Sequence, residues 1–198
     1  MINIEFEELN ILIGGLKEGE ITLVMFNDKT TAKIISNYFT SLNGKTLFIC
    51  TDFHPTEVLR DKNVKFIDSY SLDKGLNPRE GDIAVYVNSI NDISLETSAI
   101  INSEEINLLL IFSISTLFSK NPKDAVKSFI EVMNGRLKEK KGALVLFSDE
   151  RGEELEFLKS IANVIIYIIT EGDKVIIKSN MFPEPLEIAI LEKKVVVR

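Results

Sequence analysis

The clearest fold signal in this chain is Ile21-Thr22-Leu23-Val24-Met25-Phe26-Asn27-Asp28-Lys29-Thr30-Thr31-Ala32-Lys33-Ile34-Ile35. Its first six residues are apolar apart from one threonine, which predicts a strand that is buried on both faces. From Lys29 onwards the apolar residues recur every three or four positions, and this spacing predicts an amphipathic helix that continues to about Leu42. Only Asn27 and Asp28 separate the two elements. The segment therefore predicts a buried strand that passes into a helix through a very short connection, as in α/β proteins.

Strands and helices alternate along the first three quarters of the chain. Further strands are predicted at 46–50, 64–67, 83–87, 107–114 and 143–147, and further helices at 55–59, 122–140 and 153–160. The last quarter contains consecutive strands, and Glu171-Gly172-Asp173 is a hairpin signal. This order predicts an α/β fold, with a mostly parallel central sheet between two helical layers and antiparallel edge strands at its C-terminal end. Because we find no linker, repeat or low-complexity segment, residues 1–198 are interpreted as a single domain.

The composition is typical of a soluble globular protein. Of the 198 residues, 45% are hydrophobic and 27% are charged. No apolar run approaches the roughly 18–20 residues that a membrane-spanning helix needs, and the first residues lack the basic region of a signal peptide. The single cysteine, Cys50, cannot form an internal disulfide and fits a reducing compartment. These features predict a cytoplasmic protein without a membrane partner.

The net charge argues against nucleic-acid binding. It is −7 at pH 7, whereas a surface that binds nucleic acid needs clustered basic residues. The densest basic stretch, residues 136–141, comes at the end of a predicted helix, where positive charge complements the helix dipole. Nucleic acid is therefore not the expected partner.

Five segments occur in an order that is typical of one family. They are Leu12–Leu23 with the glycine pair Gly14-Gly15, Asn43–Asp52, Leu108–Ser115, Gly142–Ser148 and Ile161–Ile165. Together they resemble the core of the RecA-type P-loop ATPases, in the branch that contains KaiC and the archaeal RadA paralogues. The resemblance covers nearly the whole chain, and it implies a RecA-like three-layer sandwich with a nucleotide site after the first strand.

Two departures from the family pattern affect the same chemistry. The family carries G-x-x-x-x-G-K-[ST] after the first strand, where backbone N–H groups surround the phosphates; here only Asn27 and Asp28 precede Lys29-Thr30-Thr31. Phe112 stands where the family has the Walker B aspartate that holds Mg²⁺. Asp52 stands where relatives usually have the glutamate that activates water. We therefore expect degenerate Walker A and Walker B motifs, no cofactor, no metal and no ATP hydrolysis.

The residues around this junction have two interpretations. Lys29, Thr30, Thr31 and Asp52 form a vestigial nucleotide site if a nucleotide still binds weakly or if a neighbouring subunit completes the site. Alternatively, Lys29-Thr30-Thr31 is a solvated first helical turn with Asn27 or Asp28 as its N-cap. His54, the only histidine, either pairs with Asp52 as an acid–base couple or belongs to a surface loop.

The expected function is that of a catalytically inactive RecA/KaiC-like homologue that acts as a regulatory or adaptor protein. Its partner would be another protein or a second copy in a homo-oligomer. Phe53, Leu117 and Phe118 fall in predicted loops after strands and are candidates for that contact; otherwise they fold back onto the core. A divergent nucleotide-binding protein and an accessory factor in DNA recombination or repair are the alternatives.

Overall fold

One sheet of ten strands organises the computed structural model, which describes residues 16–41, 44–58, 63–151, 154–172, 174–191 and 194–197. The strands are β1 (Ile21–Phe26), β2 (Thr46–Cys50), β3 (Val64–Asp68), β4 (Ile83–Ala84), β5 (Leu108–Phe112), β6 (Ala143–Asp149), β7 (Val164–Glu171), β8 (Lys174–Ser179), β9 (Phe182–Leu191) and β10 (Lys194–Val197). The helices are α1 (Lys29–Ser41), α2 (Ile90–Ser103), α3 (Ile114–Lys120), α4 (Lys123–Glu139) and α5 (Leu155–Ile161), with 3₁₀ turns at Pro55–Glu57 and Leu72–Lys74. None of these described helices is both long and apolar enough to cross a membrane. The glycine pair Gly14-Gly15 and Asn43 lie outside the described residues.

The strand order confirms the predicted α/β architecture. Across the sheet the order is β10-β9-β8-β7-β1-β6-β5-β2-β3-β4. β1 pairs in parallel with β6 and β7, and β5, β2, β3 and β4 continue the parallel part. From β7 outwards through β8, β9 and β10 the pairing is antiparallel. β1, β2 and β5 are buried at every residue, as expected of parallel strands covered on both faces.

Helices cover both faces of the sheet and produce two hydrophobic cores. α1 contributes to one core, and α2, α3, α4 and α5 contribute to the other. Because successive strand residues point to opposite faces, Val24 and Phe26 belong to the α1 core, whereas Leu23 and Met25 belong to the second. The parallel strands all end at the same edge of the sheet, so the residues that follow Phe26, Cys50 and Phe112 come together there.

The loop predicted after β5 is wrong, because α3 begins directly after Ser113. Asn121 follows α3, and α4 begins at Lys123 after Pro122. The buried side-chain amide of Asn121 donates to the carbonyl oxygen of Val87 (2.8 Å) and accepts from the backbone N–H of Ile90 (3.1 Å). Asn121 thus fixes the start of α2 rather than the start of α4.

Pro183 and Pro185 lie within β9. Ile177 of β8 pairs with Leu186, while Ser179 pairs with Phe182. Three β9 residues therefore face one residue of β8 in a bulge that contains Pro183 and Pro185. A bulge tolerates proline because the missing N–H is not needed for the strand pairing there.

Candidate functional site

A central cleft lies where the carboxyl ends of β1, β2, β5 and β6 meet. Its volume is about 380 Å³, and its polar lining comprises Asn27, Lys29, Asp52, Ser113, Ser115, Thr116, Ser119, Asp149 and Arg151. Open α/β sheets bind ligands at this edge, beyond the carboxyl ends of their strands. The central cleft is therefore the candidate functional site, and it includes Lys29 and Asp52 from the sequence prediction.

Asn27 ties the β1–α1 junction to the neighbouring strand β7. Its backbone N–H donates to the carbonyl oxygen of Ile168 over 3.4 Å. Its side-chain oxygen accepts from the N–H of Thr170 at 2.8 Å, and its side-chain nitrogen donates to the carbonyl oxygen of Thr170 at 3.2 Å. The junction is consequently held flat against the sheet by three hydrogen bonds.

Asp28 is the N-cap of α1. One of its carboxylate oxygens accepts from the N–H of Thr31 at 2.7 Å, and its carbonyl oxygen accepts from the N–H of Ala32 at 3.1 Å. A negatively charged side chain is favourable here because the helix dipole places partial positive charge at the helix N-terminus. Asp28 therefore occupies, with a carboxylate of this chain, a position where helices can bind external anions.

Lys29 and Asp52 form an ion pair across the central cleft. The Nζ atom of Lys29 lies 2.8 Å from one carboxylate oxygen of Asp52. The hydroxyl of Thr116 donates to the other carboxylate oxygen at 2.6 Å. Lys29 is half exposed and Asp52 is mostly covered. The pair links the start of α1 to the loop that follows β2, and it neutralises both charges within the cleft.

Thr30 and Thr31 lie outside the lining of the central cleft. Thr30 is exposed to solvent. Thr31 is buried, and its hydroxyl accepts from the hydroxyl of Thr170 at 3.1 Å. Of the four residues predicted as a vestigial nucleotide site, the structure thus brings together Lys29 and Asp52 and directs Thr31 towards β7.

Phenylalanine rings fill the space beside the carboxyl end of β5. Phe112 is fully buried and stacks on Phe26, with ring centroids 5.4 Å apart, and on Phe147, with centroids 5.0 Å apart. Phe53 meets the edge of this stack at 4.9 Å from Phe112. Offset and edge-to-face contacts of this kind are favourable geometries for aromatic pairs. The position that carries an aspartate in the family pattern is therefore the centre of an apolar cluster.

Of the two interpretations of Phe53, Leu117 and Phe118, the structure supports the one in which they fold back onto the core and not the exposed contact surface. Their exposed fractions are 4%, 0% and 6%. Phe53 belongs to the α1 core, whereas Leu117 and Phe118 belong to the core on the opposite face of the sheet. Leu117 and Phe118 are buried because α3 replaces the expected loop, and Phe53 is buried because it packs against Phe48 and Phe112. The three side chains therefore cannot form one contiguous surface patch.

Ser115, Asp149 and Arg151 form a second polar group in the cleft that the sequence did not predict. The hydroxyl of Ser115 lies 2.9 Å from the hydroxyl of Ser148 and accepts from the N–H of Asp149 at 3.1 Å. Arg151 donates two hydrogen bonds to the carboxylate of Asp149, one from its backbone N–H at 3.0 Å and one from its side-chain Nε at 3.2 Å. This hydrogen bonding raises the pKa of Arg151, which therefore stays cationic. The available signal was only that Asp149 ends a strand at the sheet edge where sites occur.

His54 and Cys50 have structural positions rather than reactive ones. Nδ1 of His54 accepts from the N–H of Thr56 at 3.2 Å, and Nε2 contacts the carbonyl oxygen of Asn77 at 3.2 Å, so this ring joins two loops. Burial raises the pKa of the Cys50 thiol, and the charge of Asp68 adds to this effect. A buried, protonated thiol is a poor nucleophile.

The described part of the chain contains no group of three or more His, Cys, Asp or Glu side chains that could hold a metal ion. The carboxylates that line the central cleft are Asp52, which is bonded to Lys29 and Thr116, and Asp149, which is bonded to Arg151. A Mg²⁺–nucleotide needs free oxygen ligands and free backbone N–H groups. The residues present fit such a ligand poorly.

Comparison with known proteins shows the fold. No protein-family model and no curated protein sequence matches the chain. Among solved structures, the KaiC-like protein PH0186 from the hyperthermophilic archaeon Pyrococcus horikoshii OT3 matches with a TM-score of 0.69 and 12% identity, over 98% of this chain and 95% of that one. The flagellar accessory protein FlaH from Methanocaldococcus jannaschii matches with a TM-score of 0.66 and 16% identity, over 100% and 97%. The chain therefore has the RecA-like ATPase fold of these two proteins.

Proposed function

We propose that this protein is a RecA/KaiC-like ATPase homologue that does not hydrolyse nucleotides and that acts as a regulatory or adaptor protein through protein–protein contacts. The observation that carries the proposal is the β1–α1 junction. It has two residues, and the N–H groups of Asn27, Thr31 and Ala32 are all bonded within the chain. A phosphate would also meet the carboxylate of Asp28, whose negative charge repels it.

The aromatic cluster at the end of β5 supports the same proposal. Phosphoryl transfer depends mainly on positioning and on electrostatic stabilisation by cations and N–H donors. Phe112 has no oxygen ligand for Mg²⁺, and it is packed between Phe26 and Phe147. The absence of an oxygen ligand at Phe112 supports the proposal that the protein does not hydrolyse nucleotides.

Phosphate release from ATP and GTP in the presence of Mg²⁺ tests this proposal. We expect no turnover above the background of a preparation that carries Lys29→Ala. Lys33→Ala is the matched control, because Lys33 lies on the same helix but pairs with Glu57 outside the cleft. Turnover by the wild type that Lys29→Ala abolishes and Lys33→Ala preserves would contradict the proposal.

A divergent nucleotide-binding protein is the second candidate, and one observation favours it. The half-exposed Lys29 and the exposed Arg151 both line the central cleft, so two cations face the sheet edge where ligands bind. Each cation already has a carboxylate partner, and a nucleotide would have to displace one. Calorimetric titration with ATP and ADP separates the candidates: saturable heat that Lys29→Ala removes would favour nucleotide binding without hydrolysis.

A further inference from the structure

An edge groove lies between β4, which ends the sheet on one side, and α2. Its volume is about 310 Å³, and its lining includes Leu72, Ala84, Tyr86, Asp92, Leu95 and Glu96. The described residues contain no strand beyond β4. α2 therefore presents one side to α4, which it contacts, and the other side to the groove.

Two exposed apolar side chains, Tyr86 and Leu95, line this groove. The described residues include five large apolar side chains that are exposed, and Leu95 (68%) and Tyr86 (55%) are the two most exposed of them. A third, Leu76 (47%), follows the 3₁₀ turn that contains Leu72. Single exposed apolar residues are common on protein surfaces, but neighbouring ones at the rim of a groove mark contact surfaces.

Both charged residues that line the edge groove are acidic. Asp92 and Glu96 are four positions apart on α2, so they lie on the same side of the helix, and Leu95 lies next to them. The described lining contains no lysine or arginine. Two carboxylates at this spacing repel each other, and a cation from outside the chain would relieve that repulsion.

We propose that the edge groove binds a basic amphipathic helix of a partner protein. The leucine or similar apolar residues of that helix would cover Leu95 and Tyr86, and its lysine or arginine residues would face Asp92 and Glu96. A helix fits better than an added strand, because β4 has only two residues and offers little edge for strand pairing. The inference rests on the proposed role in protein contacts and identifies the chemistry of one partner.

Binding of a synthetic 14-residue peptide of leucine and lysine at helical spacing tests the proposal by fluorescence anisotropy. We expect saturable binding by the wild type, and no binding of a matched leucine–glutamate peptide. Tyr86→Ser/Leu95→Ser should weaken binding at least about tenfold, a change equivalent to the burial of one or two apolar groups. Asp92→Asn/Glu96→Gln should weaken binding and reduce its salt dependence.

Two control variants carry equal chemical changes elsewhere. Val132→Ser/Met181→Ser removes two other exposed apolar side chains, and Glu131→Gln/Glu139→Gln removes two exposed charges of α4. Both should bind as the wild type does. Equal affinity in every variant, or no binding by the wild type, would overturn the proposal, with circular dichroism verifying that each variant is folded.

Sedimentation velocity decides whether a second copy of this chain fills the groove instead. A wild-type dimer that Tyr86→Ser/Leu95→Ser dissociates would overturn the choice of a basic helix. Phosphate release measured on the same samples keeps the two proposals separate. Hydrolysis by the wild type would contradict the proposed function and leave the groove result valid, whereas loss of groove-dependent binding would affect only this inference.

Discussion

Asp28 occupies the N-terminus of α1, the first helix of the described residues. Its carboxylate satisfies the N–H of Thr31 and supplies the negative charge that the helix N-terminus favours. A phosphate at the same place would have to displace that carboxylate or lie beside it. The stability of α1 and the proposed loss of nucleotide binding therefore depend on the same side chain.

Replacement of Asp28 measures its contribution as an N-cap. Asp28→Ala should lower the free energy of unfolding by about 1 kcal/mol, within the usual range of about 0.5–2 kcal/mol for such caps. Asp28→Asn should lower it much less, because asparagine caps helices about as well. Urea denaturation monitored by circular dichroism provides both values. If the two variants were destabilised equally, the charge of Asp28 would contribute more to the stability of the helix than its hydrogen bond does.

Phe112 also combines a contribution to stability with the proposed loss of nucleotide chemistry. Phe112→Ala should cost about 3–5 kcal/mol of the free energy of unfolding, because it removes a fully buried ring that contacts three others. Phe157→Ala is the control and should cost less, since Phe157 is only partly buried. Urea denaturation of both variants is the measurement. A loss for Phe112→Ala below that for Phe157→Ala would show that the aromatic cluster contributes little.

At the scale of secondary-structure elements, an ion pair connects α1 with the 3₁₀ turn after β2. Lys33 of α1 contacts Glu57 of the turn, and its ammonium group also lies 5.5 Å from the centre of the Phe53 ring. Glu57 accepts from the N–H of His54 as well. The hydrogen bond from Lys33 is the main cause that lowers the pKa of Glu57.

The lowered pKa of Glu57 predicts how stability depends on pH. A carboxylate with a depressed pKa stabilises the folded state above its unfolded value, roughly 4.3, and this contribution is lost as the pH falls through the folded pKa. Glu57→Gln should therefore be less stable than the wild type at pH 7, by up to about 1 kcal/mol for such a partly exposed pair. The difference should shrink as the pH falls below about 4.

Urea denaturation of both proteins between pH 7 and pH 3 measures this difference. Glu156→Gln is the control, because it removes an exposed carboxylate of α5. A gap between the wild type and Glu57→Gln that stayed constant down to pH 3 would contradict the argument.

The sequence predicts the secondary-structure elements that short local sequence patterns determine. Continuous apolar runs identify the buried strands, and Asn27 and Asp28 identify the short junction together with its cap. α3 escapes prediction because it has only seven residues and begins immediately after a strand. Lys29 and Asp52 follow β1 and β2, which are separated in the sheet by β6 and β5. No local pattern could therefore reveal their ion pair, and only the family resemblance grouped the two residues.

At the scale of the whole molecule, acidic residues outnumber basic ones by 30 to 23. Binding to nucleic acid gains free energy from the release of counterions, which requires a concentrated basic surface. The cations described in the central cleft, Lys29 and Arg151, are paired with carboxylates. The surface as a whole should therefore repel a polyanion.

We expect no binding of single- or double-stranded oligonucleotides at physiological salt. Fluorescence anisotropy with labelled oligonucleotides, repeated at low salt, is the measurement, since weak electrostatic binding would appear first at low salt. Sub-micromolar affinity that persists at physiological salt would instead favour an accessory role in DNA recombination or repair.

The hydrogen bonds between Asn27 and Thr170 have a consequence for protein engineering at the β1–α1 junction. Insertion of a glycine-rich loop after Phe26 would separate Asn27 from β7 and move Asp28 away from the helix that it caps. A grafted phosphate loop would therefore have to replace the stabilisation from both residues, with new contacts to β7 and a new cap for α1.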